Sequence, residues 1–301
     1  MEITIQGCRG SYPVAYPEIL RYGGDTTCLE VVSDDALLVL DAGTGIRKIN
    51  TIPENIREVH LFITHLHWDH IIGFPQWPLL HSHPDLSFHL YGLERTHDHF
   101  YAALEQSIST PLYPRSLEDM LVGFHFHELL PGDRMDVGNT LHVQTALANH
   151  PYRALGYRIE SQQGTLAFIP DTAPFDRYLF DDEIVLKDTS LTGFEREKLV
   201  ERQDQIVILA GDADWLIYDA ALTPPEYEML PHWGHSTMDQ ACDIARQAGA
   251  KELVLFHHGP TRTDDMVDNM LANQIKQNPD MNLSAAYAGM QLTKLSAKEE
   301  R

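Results

Sequence analysis

Cysteine is scarce in this chain: Cys8, Cys28 and Cys242 are the only three among 301 residues. They are scattered, odd in number and in no Cys-x-x-Cys pattern, so they read as structural free thiols in a reducing compartment. Basic residues are also few, 22 against 44 acidic ones, for a formal net charge of −22. Such an excess repels a phosphate backbone at long range, which argues against a large nucleic acid as the main partner. No apolar run is long enough to span a membrane. Nor does a basic region followed by an apolar segment precede the strand-like Met1-Glu2-Ile3-Thr4-Ile5, so no membrane association and a cytoplasmic location are expected. The glycines of Asp41-Ala42-Gly43-Thr44-Gly45 are not followed by Gly-Lys-Ser/Thr or Gly-x-Gly-x-x-Gly, and a nucleotide-binding loop is excluded there. No internal repeat or low-complexity segment stands out.

What the chain does have is histidine, and one run organises the rest. Thr64-His65-Leu66-His67-Trp68-Asp69-His70 follows an apolar, strand-like Val59-His60-Leu61-Phe62-Ile63. Imidazole and carboxylate bind zinc and similar divalent ions. Four such groups packed this closely cannot all converge on one ion without strain, but they can serve two neighbouring ions. His65 and His67 point the same way if strand geometry persists. Asp69 and His70, past the turn, can reach a second ion. A His-rich surface loop is the blander reading, and the completeness of the run outweighs it.

Along the chain, strands and helices alternate. Alternation or apolar runs predict strands at about 3–5, 28–32, 36–40, 86–91, 124–128, 140–146, 155–159, 165–169, 215–220, 252–256, 284–287 and 290–295. Residues 71–80 start a short helix that Pro75 and Pro78 disrupt, and Phe74 and Trp77 there suit core packing. Residues 94–108 read as a helix with Phe100, Leu104 and Ile108 on one face, where His97 and His99 are solvated. His125 and His127 fall on the outer face of their strand by period two. Helices are expected after Ser236 or Thr237, with Ala241, Ile244, Ala245 and Ala248 as the apolar stripe, and from Asp264 to about Gln277. His150 ends a strand before a Pro-bearing loop, where a metal-site wall needs a ligand.

The His-x-His-x-Asp-His run resembles the signature of the metallo-β-lactamase superfamily. Other landmarks occur in order over nearly the whole chain: Arg9-Gly10-Ser11, Arg21-Tyr22-Gly23-Gly24, Asp41-Ala42-Gly43-Thr44-Gly45, Pro170-Asp171-Thr172, Gly234-His235-Ser236-Thr237 and His257-His258-Gly259-Pro260. They look most similar to ribonuclease Z and to the phosphoribosyl cyclic phosphate and cyclic nucleotide phosphodiesterases. The resemblance implies an α/β (α+β) fold, a four-layer αββα sandwich with metals at one edge between the sheets. Residues 1–301 are expected to form one domain. The stretch 176–204 fits least well and is read as an insertion: a substrate lid, a dimer element or a surface excursion.

The same resemblance implies a site. One ion takes His65, His67 and His150; the other takes Asp69, His70 and His257; Asp171 bridges them. Asp69 and His235 are the candidate catalytic residues. His235 would donate a hydrogen bond to the transition state or a proton to the leaving oxygen. Asp41 and Asp219 are expected to support the site, and His258 to line the pocket. Tyr218-Asp219-Ala220 stands where ribonuclease Z has His-Glu-Ala, a departure that weighs against tRNA-end processing. Two divalent ions, zinc first with manganese or iron as alternatives, would lower the pKa of a shared water and neutralise charge as it builds. The expected activity is hydrolysis of a small phosphodiester, cyclic ones included. The alternatives are a lactone, carboxyl-ester or β-lactam hydrolase with the same site, and a metal-dependent ligand sensor without turnover. A homodimer is compatible with the sequence.

Overall fold

The computed structural model describes residues 1–83, 85–94, 100–108, 113–114, 123–176, 179, 192–230 and 232–294. Two seven-stranded mixed sheets face each other. The first contains β1 (Glu2–Gly7), β2 (Cys28–Val32), β3 (Leu37–Leu40), β4 (Glu58–Phe62), β5 (Ser87–Leu93), β6 (Phe124–Leu129) and the last strand, β14 (Met290–Leu292). Their order is β14-β1-β2-β3-β4-β5-β6. The second contains β7 (Arg134–Val137), β8 (Leu141–Ala148), β9 (Ala154–Ser161), β10 (Gly164–Ile169), β11 (Trp215–Asp219), β12 (Leu253–Phe256) and β13 (Leu283–Ala285), in the order β13-β12-β11-β10-β9-β8-β7. In both sheets a meander of antiparallel strands gives way to a parallel run, β3 to β6 in one and β10 to β13 in the other.

Strand alternation sorts the side chains into layers. Ile3, Ile5, Leu29, Val31, Leu38, Leu40 and Phe62 share one buried cluster with Val143, Leu155, Tyr157, Ile159 and Leu166 of the facing sheet. Leu37, Val39, Val59 and Leu61 point the other way, into a second cluster with Ile46, Phe74, Trp77, Phe100 and Leu104. Short helices α1 (Trp68–Ile71), α2 (Leu79–Ser82) and α3 (Phe100–Ile108) lie along that outer side. The second sheet is covered by α4 (Gly193–Ala210), packed on β8, β9 and β10, and by a later helix packed on β11 and β12. The result is the expected αββα sandwich.

Elements form where their ends are chemically fixed. Thr192 caps α4 in a reciprocal capping box with Glu195. After α5 (Pro224–Met229), Thr237 does the same with Gln240 for α6 (Met238–Ala248), which ends on Gly249 at φ 67. Thr263 caps α7 (Asp264–Gln277). Pro75 and Pro78 break the stretch after α1 into a 3-10 turn (Phe74–Gln76) and the four-residue α2, as expected.

Three details depart from the sequence reading. Residues 192–204, part of the stretch read as an insertion, lie in α4, whose Leu199, Ile206 and Leu209 are buried against the second sheet; 177–178 and 180–191 lie outside the described residues. The strand β7 was not anticipated, because Arg134-Met135-Asp136-Val137 is short and half polar. His127 faces inward: its ring stacks on Tyr91 with centroids 4.4 Å apart, and Tyr91 in turn stacks on Phe62 of the inter-sheet core. Alternation separates the two faces of a strand without saying which one meets the partner sheet. His97 and His99 lie outside the described residues, as does the C-terminal tail from residue 295.

Candidate metal centre

The parallel strands of both sheets deliver polar side chains at their C-terminal ends, the usual place for a site in such sheets. At the end of β3, Asp41 is fully buried at φ 61. It accepts the Thr64 backbone N–H (2.7 Å) and the Nδ1–H of His70 (2.8 Å). The Ala42 N–H donates to the His70 carbonyl at 2.7 Å. A Cβ on Gly43 would stand 2.2 Å from the Asp69 carbonyl oxygen, so only glycine lets this turn press against the metal loop. From the opposite sheet, the Leu155 N–H donates to Thr64 O (3.0 Å) and the Tyr157 hydroxyl to Ile63 O (2.7 Å). The loop after β4 is thus pinned from both sheets.

His150 follows β8 and donates its Nδ1–H to the Gly234 carbonyl at 2.8 Å, leaving Nε2 3.1 Å from His67 Nδ1. His65 Nε2 is 2.9 Å from the same His67 atom. Ligating atoms of His65, His67 and His150 lie within 4.8 Å of one another. Asp69, His70 and His257 form a second such triad, and His65, His70 and Asp171 a third that joins the two. Asp171, after β10, has Oδ1 at 3.2 Å from His70 Nε2 and 3.4 Å from His257 Nε2. Asp69 Oδ2 is 3.2 Å from His257 Nε2 and accepts the Ser11 N–H at 2.7 Å. Asp219, ending β11, accepts the Nδ1–H of His235 (2.8 Å) and the Thr172 N–H (3.0 Å). His235 stacks on His257 at 4.7 Å between centroids.

The structure therefore brings together His65, His67, Asp69, His70, His150, Asp171, His235 and His257, with Asp41 and Asp219 directly behind them. It does not bring His258 in: its Nε2 is bonded to Ala286 O at 2.9 Å and its ring meets the edge of Tyr22. Arg9-Gly10-Ser11 belongs to the family pattern in the sequence, but sequence reasoning gave Gly10 and Ser11 no role at the site. A Cβ on Gly10 would come within 2.5 Å of the His257 ring, and Ser11 acts through a backbone N–H, which leaves no side-chain signal. Nor did it assign a role to Arg9, a wholly buried guanidinium that donates to the carbonyls of Gly23, Gly259 and Arg262 and so ties the N-terminal loop to the His257 loop.

These residues suit a divalent ion. Burial pushes the pKa values of His65, His67 and His150 down, towards the neutral imidazoles that ligate metal. Burial opposes charge on Asp69 and Asp171 too, but His70 and His257 outweigh it and hold both carboxyls well below the usual range. For His235, burial is likewise overcome, chiefly by Asp219, and its pKa rises to about 9. Among the described residues, His70 Nε2 and Asp171 Oδ1 are buried with no hydrogen-bond partner. Each unsatisfied buried polar atom costs about 1–3 kcal/mol. A cation accepting both lone pairs removes that cost.

The model of the β-lactamase superfamily domain matches residues 37–192, just over half of the chain. The chain belongs to the β-lactamase superfamily. Its αββα sandwich and its His/Asp cluster mark it as a metal-dependent hydrolase of the metallo-β-lactamase type, related to ribonuclease Z. It is 28% identical to ribonuclease BN of Cronobacter sakazakii over 78% of this chain and 83% of that one. It is 26% identical to ribonuclease Z of Thermoplasma acidophilum over 89% of each. Its fold is that of the metallo-β-lactamase fold protein YhfI from Bacillus subtilis, with a TM-score of 0.65 and 18% identity over 97% of this chain and 98% of the other.

Proposed function

We propose that the chain is a dinuclear metal-dependent phosphodiesterase acting on a small phosphodiester. The carrying observation is the pair of side-chain triads joined through Asp171. His65, His67 and His150 would hold one ion; Asp69, His70 and His257 the other; Asp171 would belong to both. Nitrogen and oxygen donors fit zinc first, and manganese or iron as well. Divalent ions held there would supply a nucleophile at neutral pH and neutralise charge on the phosphoryl oxygens. The chain's own part is positioning and proton transfer. Asp41 fixes the His70 ring through Nδ1, Gly234 fixes His150 in the same way, and the Ser11 N–H fixes the Asp69 carboxylate. Asp219 holds His235 by Nδ1, which leaves Nε2 to deliver a proton to the leaving oxygen.

A net charge of −22 supports a small substrate over a long polyanion. No described helix is long and apolar enough to cross a membrane, and the three thiols are free and buried; both suit the cytoplasmic location we propose. The ribonuclease Z and BN relatives favour a second reading, an RNA substrate at the same site.

The test is hydrolysis of bis(p-nitrophenyl) phosphate by zinc-reconstituted protein beside its Asp69→Ala variant. Turnover in the first and at least about a hundredfold less in the second is expected, since Asp69 contributes to both metal and geometry. Equal rates, or no turnover with two ions per chain verified, would sink the proposal. An RNA substrate is tested by adding a 3′-extended transfer RNA to the same assay.

A further inference from the structure

Large aromatic side chains stand exposed around the histidine triad. Trp68, between His67 and Asp69, is 65% exposed; Tyr152, two residues after His150, and Trp233, two before His235, are each 47% exposed. Their segments meet. The Gly234 carbonyl holds His150, a Cβ on Gly234 would touch Pro151 at 2.3 Å, and His150 Nε2 lies 3.1 Å from His67. Exposed aromatics forgo burial that a core position would reward. Three exposed aromatic residues thus sit on three segments that meet at the histidine triad.

The turn that carries Tyr152 is also strained. Tyr152 and Arg153 are consecutive at φ 61 and 67, a left-handed conformation that side chains resist. Glycine or asparagine would make this five-residue connection between β8 and β9 with less strain. Arg153 is half-buried, and among the described residues its guanidinium has no ion-pair or hydrogen-bond partner. In a chain of net charge −22, a cation left free beside a phosphoryl site is available to an anion.

We infer that Tyr152 and Arg153 form a recognition element for a nucleotide: Tyr152, with Trp68 and Trp233, stacks on the base, and Arg153 pairs with the phosphate. The inference rests on the phosphodiesterase reading and narrows its substrate to nucleoside phosphodiesters. Stacking of a base on an aromatic side chain is sequence-tolerant, so several bases would be accepted.

Zinc-loaded protein would be given adenosine 2′,3′-cyclic phosphate and, separately, methyl riboside 2′,3′-cyclic phosphate, which lacks the base, with turnover followed by phosphorus NMR. The expected kcat/KM is about tenfold or more in favour of the nucleoside ester, expressed in KM. In Tyr152→Ala that ratio falls about tenfold; Tyr152→Phe, which keeps the ring, retains it. Calorimetry gives a second readout: adenosine 5′-monophosphate binds more tightly than ribose 5-phosphate, and Arg153→Gln weakens both. Equal kcat/KM on the two esters, with both hydrolysed, would overturn the inference and leave the phosphodiesterase reading standing. Failure on both, with bis(p-nitrophenyl) phosphate hydrolysed, would overturn it as well. Failure on every diester would overturn the reading and the inference together.

Discussion

Acidification should destabilise this protein through a histidine ladder remote from the metal loop. His60, His89 and His125 are register partners on β4, β5 and β6, stacked at 4.8 Å between successive centroids. His127 joins through His89, with Nε2 3.1 Å from His89 Nδ1. His60 is 4% exposed, its Nδ1 bonds the Tyr91 hydroxyl at 3.1 Å, and Nε2 has no hydrogen-bond partner among the described residues. Burial, then the neighbouring His89 and His127, lower its pKa from 6.5 to about 4; Asp35 opposes weakly, and the Glu58 carboxylate stands 3.7 Å away. The folded state holds His60 neutral, so below pH 6.5 the unfolded chain binds the extra proton and stability falls with pH. The loss begins near pH 6.5, reaches about 2 kcal/mol by pH 5, and levels off at about 3 kcal/mol below pH 4. His89 and His127 are shifted the same way and add to it. Urea unfolding at pH 7.5 and pH 5 of the wild type and His60→Gln isolates the contribution. Glutamine keeps a polar partner for Tyr91 and does not titrate, and losses common to both proteins cancel in the difference. The wild type should lose about 2 kcal/mol more than the variant over that interval. Parallel losses would refute the argument and place the ladder's protons elsewhere.

Two substitutions probe how the site is held. Gly10→Ala inserts a methyl within 2.5 Å of the His257 imidazole; bound zinc, measured by mass spectrometry, and kcat/KM should both fall, the latter by about 10–100-fold, with little change in Tm. Asp41→Asn removes the carboxylate that accepts from Thr64 N–H and His70; zinc affinity by competition with a chelator should drop about 10–100-fold, and an unchanged affinity would mean that His70 is oriented by its packing alone.

Most of the site was legible because its chemistry is carried by residue type. His65, His67, Asp69 and His70 sit in one run and His150 where a strand pattern ends, while Asp171 and His257 were picked out by the family resemblance. The alternation marked strands and helices, and the sandwich that joins them came from the family resemblance. What stayed hidden has no residue-type signature. Ser11 contributes an N–H that any residue but proline has, and Gly10 contributes the absence of a side chain. The inward face of β6 could not be told from the outward one, since Phe124 and Phe126 alternate with His125 and His127 and both faces are partly covered. The helix α4 begins in the stretch read as an insertion because that stretch fits the family pattern least well; Leu199 within it is buried against the second sheet.

Asp41, Asp171 and Asp219 show where sequence reasoning reaches its limit. All three are buried aspartates at or just beyond the C-terminal ends of strands. Two of them do the same job in opposite sheets. Asp41 accepts the Thr64 N–H and the His70 ring, and Asp219 accepts the Thr172 N–H and the His235 ring. Each welds a loop to the imidazole that the loop must present, and each spends its oxygens doing so. Asp171 differs in that Oδ1 is buried beside His70 and His257 and has no hydrogen-bond partner among the described residues. The three are alike in residue type and position, so apart from the family resemblance it is the partners of each oxygen that separate the bracing carboxylates from the one left free to bind. On that criterion Asp171 is the candidate metal ligand, and the other two brace the histidines.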